Sequence, residues 1–324
     1  MVHTLDQIRR PIQSELRAFE QYFRDSMRSR VPLLDRITYY IVRRKGKQVR
    51  PMFVFLCARL FGPVGESSYR AAALIELLHT ASLVHDDVVD NAHRRRGFFS
   101  INALWKNKIA VLVGDFLLAR GMLLALENEE YELLQIMSRA VKDMSEGELL
   151  QMEKARRLDI SEAVYFDIIR QKTASLIAAA CAAGASSGGA DAPQVALLRD
   201  FGEKIGIAFQ IRDDLFDLGD DDVGKPRGID IKEKKMTLPL IYALQQADGR
   251  MRRRIIRLVK YHHEEQQAIE EVIDFVRRSG GMEYARTLMG RYRDEAFAML
   301  HTFPASEVRQ ALEALVMFVT ERKK

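Results

Sequence analysis

Apolar residues along this chain recur every three or four positions. Between Tyr69 and Asp90 they fall at Ala73, Leu77, Leu78, Ala81, Val84 and Val88. Leu112, Phe116, Ala119 and Leu123 repeat the spacing, as do Leu198, Phe201, Ile205, Ala208, Phe209 and Leu215. That period puts each set on one face of an α-helix. No proline falls between Pro63 and Pro193. Since proline is largely excluded from helix interiors, this long stretch reads as a series of long helices. Strand-like patterns are scarce, and the short β-like run Ile37–Val42 serves equally as a buried helical segment. Loop signals sit at Phe61–Gly65, His93–Phe99, Ala185–Pro193 and Asp217–Lys235. With no tandem repeat and no Gly/Ser linker, the expectation is one all-α domain over residues 1–324, its helices bundled around a central cavity.

Composition narrows the class. Of 324 residues, 48% are hydrophobic and 29% charged, which excludes wholesale disorder. Aromatics at 8% argue against a sandwich or barrel. Fifty Lys and Arg against 45 Asp and Glu leave a net charge of +5, too mild to imply a nucleic-acid partner. Cys57 and Cys181 are the two cysteines and form no C-x-x-C, so neither a zinc knuckle nor a disulfide framework is expected, and a reducing cytoplasm fits. Residues 1–25 lack the apolar core of a signal peptide. The uncharged stretch Thr173–Ala190 is too short and too small-residued to span a bilayer, so no transmembrane segment is expected. A hydrophobic substrate would be met from the aqueous side, with at most a peripheral membrane contact for product release.

Candidate chemistry lies in two acidic motifs. In His85-Asp86-Asp87-Val-Val-Asp90, Asp86 and Asp90 are i and i+4 and share a helix face, about 6 Å apart along the axis. Crowded carboxylates beside an apolar stripe repel one another, and a hard divalent cation with oxygen ligands relieves that cost. A lone D-D-x-x-D is more often a solvated helix end. Here Gln210-Ile-Arg-Asp213-Asp214-Leu-Phe-Asp217 repeats the spacing at the end of another apolar helical run. Two facing carboxylate rows can hold several metals and a polyphosphate between them. Basic runs accompany both: Arg43–Arg50, then Arg94-Arg95-Arg96, then Lys225, Arg227, Lys232, Lys234 and Lys235. Any one run is an ordinary solvated loop, but cations interleaved with metal-binding carboxylates point to a compact polyanion. His79 lies two helical turns before Asp86; alone it reads as a packed core residue.

These segments together resemble the trans-isoprenyl diphosphate synthases of the polyprenyl synthetase family. The resemblance rests on Gly46-Lys47-Gln-Val-Arg50-Pro51, Glu76–Asp90, Arg95-Arg96-Gly97, Val113-Gly-Asp-Phe116, Glu146-Gly-Glu148, Lys172-Thr173, Gly206–Asp217, Gly224–Asp230 and Lys235-Met-Thr-Leu-Pro239, in the family's order. It is most like the long-chain octaprenyl and polyprenyl synthases. The resemblance implies the all-helical isoprenoid synthase fold, usually a homodimer, and Mg²⁺-dependent sequential 1'-4 condensation of isopentenyl diphosphate onto an allylic diphosphate. It further implies that Asp86, Asp87, Asp90, Asp213, Asp214 and Asp217 hold the Mg²⁺ cluster. Arg95, Lys172, Lys225 and Lys235 would touch the allylic diphosphate, and Lys47, Arg50, His79 and Arg96 would bind isopentenyl diphosphate. Thr173 and Gln210 would line the reacting centre. One position departs from the pattern: Lys234 stands where the family often has Gly.

The residue types suit this chemistry. Ionising an allylic diphosphate needs its leaving charge stabilised, and the resulting cation needs a water-poor apolar pocket. No Ser-His-Asp or Cys nucleophile is required. A class I terpene cyclase shares the first motif, but it normally carries an Asn/Asp-x-x-Ser/Thr-x-x-x-Glu second site and needs no second diphosphate site. A non-catalytic subunit of a heteromeric synthase would tolerate loss of the aspartates, yet all six are present. The expected product is longer than three isoprene units, in the range of quinone side chains, with a short-chain synthase as the alternative. Ala81 and Ser82, one turn before Asp86, are small where short-chain members often place an aromatic. Phe116 or Leu117 would then form a deeper floor.

Overall fold

The computed structural model describes residues 5–43, 46–95, 97–155, 158, 160–219 and 228–321. Helices α1 (Leu5–Arg9) and α2 (Gln13–Ser26) lead into α3 (Pro32–Val42) and α4 (Val49–Arg59). The long helices follow: α5 (Glu66–Val89), α6 (Ile101–Leu126), α7 (Tyr131–Ala155), α8 (Glu162–Ile169), α9 (Ser175–Ser187) and α10 (Ala192–Leu218). After them come α11 (Ile229–Lys232), α12 (Leu238–Gln246), α13 (Gly249–Tyr261), α14 (Gln266–Arg278), α15 (Gly281–Leu300) and α16 (Glu307–Glu321). Between α5 and α6 the turn expected at His93–Phe99 closes as a small hairpin, β1 (Arg94–Arg95) against β2 (Phe98–Phe99), with Arg94 opposite Phe99. The fold is all-α, as the helical period required.

Helix ends follow local chemistry. Asp191 and Gln194 form a reciprocal capping box at the start of α10, next to Pro193. The hydroxyls of Ser100 and Ser161 accept from Ala103 and Val164 backbone N–H groups at the starts of α6 and α8. The ambiguous run Ile37–Val42 is helical, because Pro32 opens α3 a turn earlier. Within the expected loop Asp217–Lys235, α10 runs on to Leu218 and α11 interrupts the rest.

At the centre lies α9, whose residues from Leu176 to Ala185 are all buried. It packs against α4, α5, α7 and α10. The Ala- and Gly-rich segment Thr173–Ala190 therefore ends up as the core of the bundle, where small side chains let four helices approach. At Gly206 of α10 an added Cβ would lie 2.4 Å from the Cα of Ala174, so the α10 backbone touches the chain just before α9. Phe201 and Ile205 of α10 join the core around α4, α5 and α9, while Ile207, Ile211 and Leu218 face the α12–α15 side. A third apolar cluster, between α3, α5 and α6, holds Ile37, Leu77, Ala81, Val113 and Leu117.

Helix α6 differs from expectation in two ways. Its backbone breaks at Lys106, where φ is 73° and ψ is 160°, a region that side-chain-bearing residues enter at a cost. It is also long and apolar enough to cross a membrane, by length and composition alone. Sequence reading passed over it because Lys106, Lys108, Asp115 and Arg120 interrupt the run. One side of α6 packs along α5, and the other leaves Leu104, Val111, Leu112, Met122, Leu123 and Leu126 exposed.

Candidate active site

Each acidic motif occupies the last turn or two of a long helix, and each turns its middle carboxylate inward. Asp87 is buried and accepts from Arg95 Nε at 2.7 Å; its own carbonyl accepts from Asn102 Nδ2 at 3.0 Å. Asp214 is buried as well. Its Oδ2 accepts from the Tyr165 hydroxyl at 2.8 Å and from the Leu238 backbone N–H at 3.1 Å, and its Oδ1 accepts from Gln210 Nε2 at 3.1 Å. The flanking carboxylates stand further out: Asp86 is half-buried, while Asp90 and Asp213 are exposed. Asp217 is half-buried and accepts backbone N–H bonds from Ile229 and Asp230 at 2.9 and 3.0 Å, which ties α11 to the end of α10.

Charge links the two rows. The negative charge of Asp90, on the first motif, acts on Lys235, in the segment that follows the second. Burial pulls the Lys235 ammonium down, but its hydrogen bond to Glu233 and the charges of Glu233, Asp230 and Asp90 outweigh it and raise its pKa. Lys235 pairs with Glu233 and lies 3.8 Å from Asp230 Oδ1. The preceding Lys234 adopts a φ of 57°, the left-handed conformation that glycine takes without strain. The departure from the family pattern at Lys234 thus falls where a glycine has a conformational purpose, and the loop keeps its turn despite the lysine.

Acid predominates here. Burial, and then the charge of Glu148, raise the pKa of Asp86, offset in part by Lys172 and Arg95. Burial pushes Asp214 up to about 7. Asp230 is pushed up to about 6 by burial and then by the charge of Asp217.

Thr173, expected at the reacting centre, comes from a distorted turn. Arg170–Ala174 is a π-turn between α8 and α9 and carries Lys172 and Thr173. Such insertions re-aim side chains and are frequent at functional sites. The Lys172 ammonium lies 2.5 Å from Glu148 Oε2 and 3.2 Å from Gln151 Oε1. The Thr173 hydroxyl donates to Gln210 Oε1 at 3.0 Å, so the turn and the second motif are joined directly. Gly147 makes room for this: a Cβ there would lie 2.7 Å from the Lys172 backbone nitrogen.

The second group of cations lies on the α4 side. Lys47 and Arg50 sit at the start of α4, half-buried, and α4 packs on α5, which carries His79. The Lys47 ammonium lies 5.4 Å from the centre of the Phe318 ring, and its carbonyl accepts from Arg9 Nη2 at 3.2 Å. Arg96 and Lys225 lie outside the described residues. Ala81 is wholly buried among Leu77, Val113 and Leu117. Ser82 is half-buried, its hydroxyl donating to the His79 carbonyl at 2.9 Å, and Phe116 packs half-buried on the same cluster.

Four participants escaped the sequence reading of individual roles: Glu148, Gln151, Tyr165 and Asp230. Glu146-Gly-Glu148 stood out as a segment, yet nothing in the spacing linked Glu148 to Lys172. Tyr165 carries no local signal, since its partner Asp214 is 49 positions away.

Among the described residues, no three carboxylate, imidazole or thiol groups converge to hold an ion by themselves. The donor set of the two rows is nonetheless all oxygen and carries excess negative charge, which fits a hard divalent cation shared with substrate phosphates.

Comparison with known proteins identifies the family. A family model described as polyprenyl synthetase matches residues 31–276. The chain is 36% identical to an octaprenyl diphosphate synthase from Escherichia coli, over 92% of this chain and 93% of that one. It is 35% identical to a short chain isoprenyl diphosphate synthase from Methanothermobacter thermautotrophicus, over 94% and 95%. A polyprenyl synthase from Caulobacter crescentus, solved with calcium and isoprenyl diphosphate, superposes with a TM-score of 0.90 at 35% identity, covering 100% of this chain and 99% of that one.

Proposed function

The chain belongs to the polyprenyl synthetase family and is a prenyltransferase; on that premise we propose that it extends an allylic diphosphate by Mg²⁺-dependent 1'-4 condensation with isopentenyl diphosphate, to a product longer than three isoprene units. The observation that carries the reading is the pair of matching aspartate rows at the ends of α5 and α10, each anchored by its buried middle carboxylate, with the Thr173 hydroxyl donating to Gln210 beside the second. Asp86 and Asp90 on one side, and Asp213 and Asp217 on the other, would hold the cations. Bound there, the metal stabilises the charge that develops on the departing diphosphate.

The chain's own residues do the rest. Lys172, Lys235 and Arg95 are fixed positive charges beside the diphosphate, strongest where water is excluded. The Thr173–Gln210 hydrogen bond fixes two polar groups beside the reacting carbon. The apolar walls of α5, α6 and α9 keep water from quenching the allylic cation. Lys47, Arg50 and His79 receive the second diphosphate from the α4 side. The released diphosphate accepts the final proton, so no side-chain base is needed.

Two further parts of the reading rest on other observations. The exposed apolar side of α6 is a surface that a second copy of this chain would cover, in a homodimer. Cys57 and Cys181 are both buried free thiols, in keeping with a cytoplasmic enzyme.

The test is metal dependence with separate variants in each row. Activity should vanish in EDTA and return with Mg²⁺. Asp86→Ala and Asp213→Ala should each lower kcat on the order of 10³-fold with the fold retained. Unchanged turnover in EDTA would refute the reading.

A further inference from the structure

Helix α13 is strongly one-sided in charge. Its thirteen residues, Gly-Arg-Met-Arg-Arg-Arg-Ile-Ile-Arg-Leu-Val-Lys-Tyr, include six cations and no acid. Ile255 and Val259 are buried against α14 and the segment around Ile231. On the opposite side Arg250, Arg253, Arg257 and Lys260 follow one another at three- and four-residue spacing, so they form a single outward row about 15 Å long. All four are exposed. Arg252 and Arg254 flank the row, and among the described residues Arg254 is the one held in an ion pair, to Glu271 at 2.6 Å. The acid at the helix start, Asp248, is already engaged by the backbone N–H groups of Arg250 and Met251. Beyond the helix end, Glu265 pairs with His262.

One apolar residue borders this row. Tyr261 is 67% exposed. A row of Arg and Lys edged by an aromatic side chain matches the charged surface of a bilayer, with headgroup phosphates under the cations and the ring at the interface.

The helix also ends beside the candidate active site. His263 Nδ1 donates to the Lys232 carbonyl at 2.8 Å, directly before the turn that bears Glu233 and Lys235. Gly228, at the start of α11, presses on Ile269 of α14. The α13–α14 pair therefore buttresses the segment that follows the second acidic motif, and the cationic row runs up to that end of the molecule.

We infer that the outward face of α13 is a docking surface for an anionic lipid bilayer. It holds the enzyme with its second-motif end against the membrane. The binding claim stands on the helix alone; its use, delivery of a long apolar diphosphate directly into lipid, rests on the proposed chain elongation.

The experiment is co-sedimentation of the full chain with vesicles of phosphatidylcholine, with and without phosphatidylglycerol. The chain should partition onto the anionic vesicles, stay free of the neutral ones, and be released by salt as the Debye length shrinks toward ~3 Å at 1 M. Arg253→Gln/Arg257→Gln should weaken partitioning on the order of 20-fold, about five-fold for each charge lost. Turnover of a short, water-soluble allylic diphosphate should be unaffected. Arg17→Gln/Arg24→Gln, which removes two exposed cations from α2, should bind vesicles like the parent. Equal loss in both double variants, binding to neutral vesicles, or displacement from anionic vesicles by a short DNA duplex would each overturn the inference. Vesicle binding is read without catalysis, so its failure and that of the proposed reaction are distinguishable.

Discussion

Asp87 and Asp214 show why one carboxylate of each motif is an anchor. Both are buried and carry hydrogen bonds from neighbouring elements, whereas Asp86 is half-buried and Asp90 and Asp213 stand at the surface. Anchoring has a pH signature at Asp214. Burial holds its carboxyl at about 7, against 3.8 for a free side chain. Between those values the folded chain keeps a proton that the unfolded chain has released, so the stability this group contributes is whole below pH ~4 and is lost as pH rises through about 7. The metal-free protein should therefore melt at lower temperature at pH 8 than at pH 5.5, and Asp214→Asn should flatten that dependence. Calorimetry across this range checks it; a parallel fall in both proteins would assign the effect to other groups. At the isopentenyl diphosphate side, Arg50→Ala should raise the KM for isopentenyl diphosphate well above any change for the allylic substrate. Equal increases for both would mean a general defect in packing.

Elements carry the account from side chain to cavity. The pattern of apolar positions foretold the helices α5 and α10 because a period of three to four residues survives burial on one face. It could not foretell the π-turn at Arg170–Ala174, since Lys172 and Thr173 look like ordinary helical residues and the distortion arises from packing against Gly147 and Gln210. Nor does Lys106 announce its backbone, because the break falls inside α6, between two helical pieces that each follow the ordinary apolar period. Lys106→Gly should stabilise the chain by about 1 kcal/mol, read as a higher Tm, since glycine enters that region freely; a lower Tm would show that the lysine side chain outweighs the strain. Gly206→Ala should do the reverse. Its Cβ would press on the Ala174 backbone and shift the Thr173–Gln210 pair, lowering both stability and kcat. One turn before Asp86, Ala81→Phe or Ser82→Phe should shorten the product while leaving the first condensation intact. An unchanged product length in soluble, folded variants would move the floor of the tail cavity to another helix.

Across the whole molecule, the sequence disclosed chemistry better than surroundings. The paired spacing of Asp86, Asp90, Asp213 and Asp217 was legible, because it occurs twice and helical geometry makes that spacing a face. Tyr165, Gln151 and Asp230 were not, because their partners are set by tertiary packing and no local pattern marks them. The exposed side of α6 and the basic row of α13 were likewise invisible until burial separated their inner from their outer residues. What joins these parts is one claim, that two metal-holding carboxylate rows over an apolar cavity add isoprene units repeatedly to one chain. The measurement that tests it most directly is the length of the product formed by the purified chain from labelled isopentenyl diphosphate and an allylic starter in Mg²⁺. The account predicts label in a ladder of diphosphates that runs beyond three isoprene units, with nothing formed from the starter alone. Hydrocarbon released from the starter without isopentenyl diphosphate, or label that stops at one added unit, would contradict it.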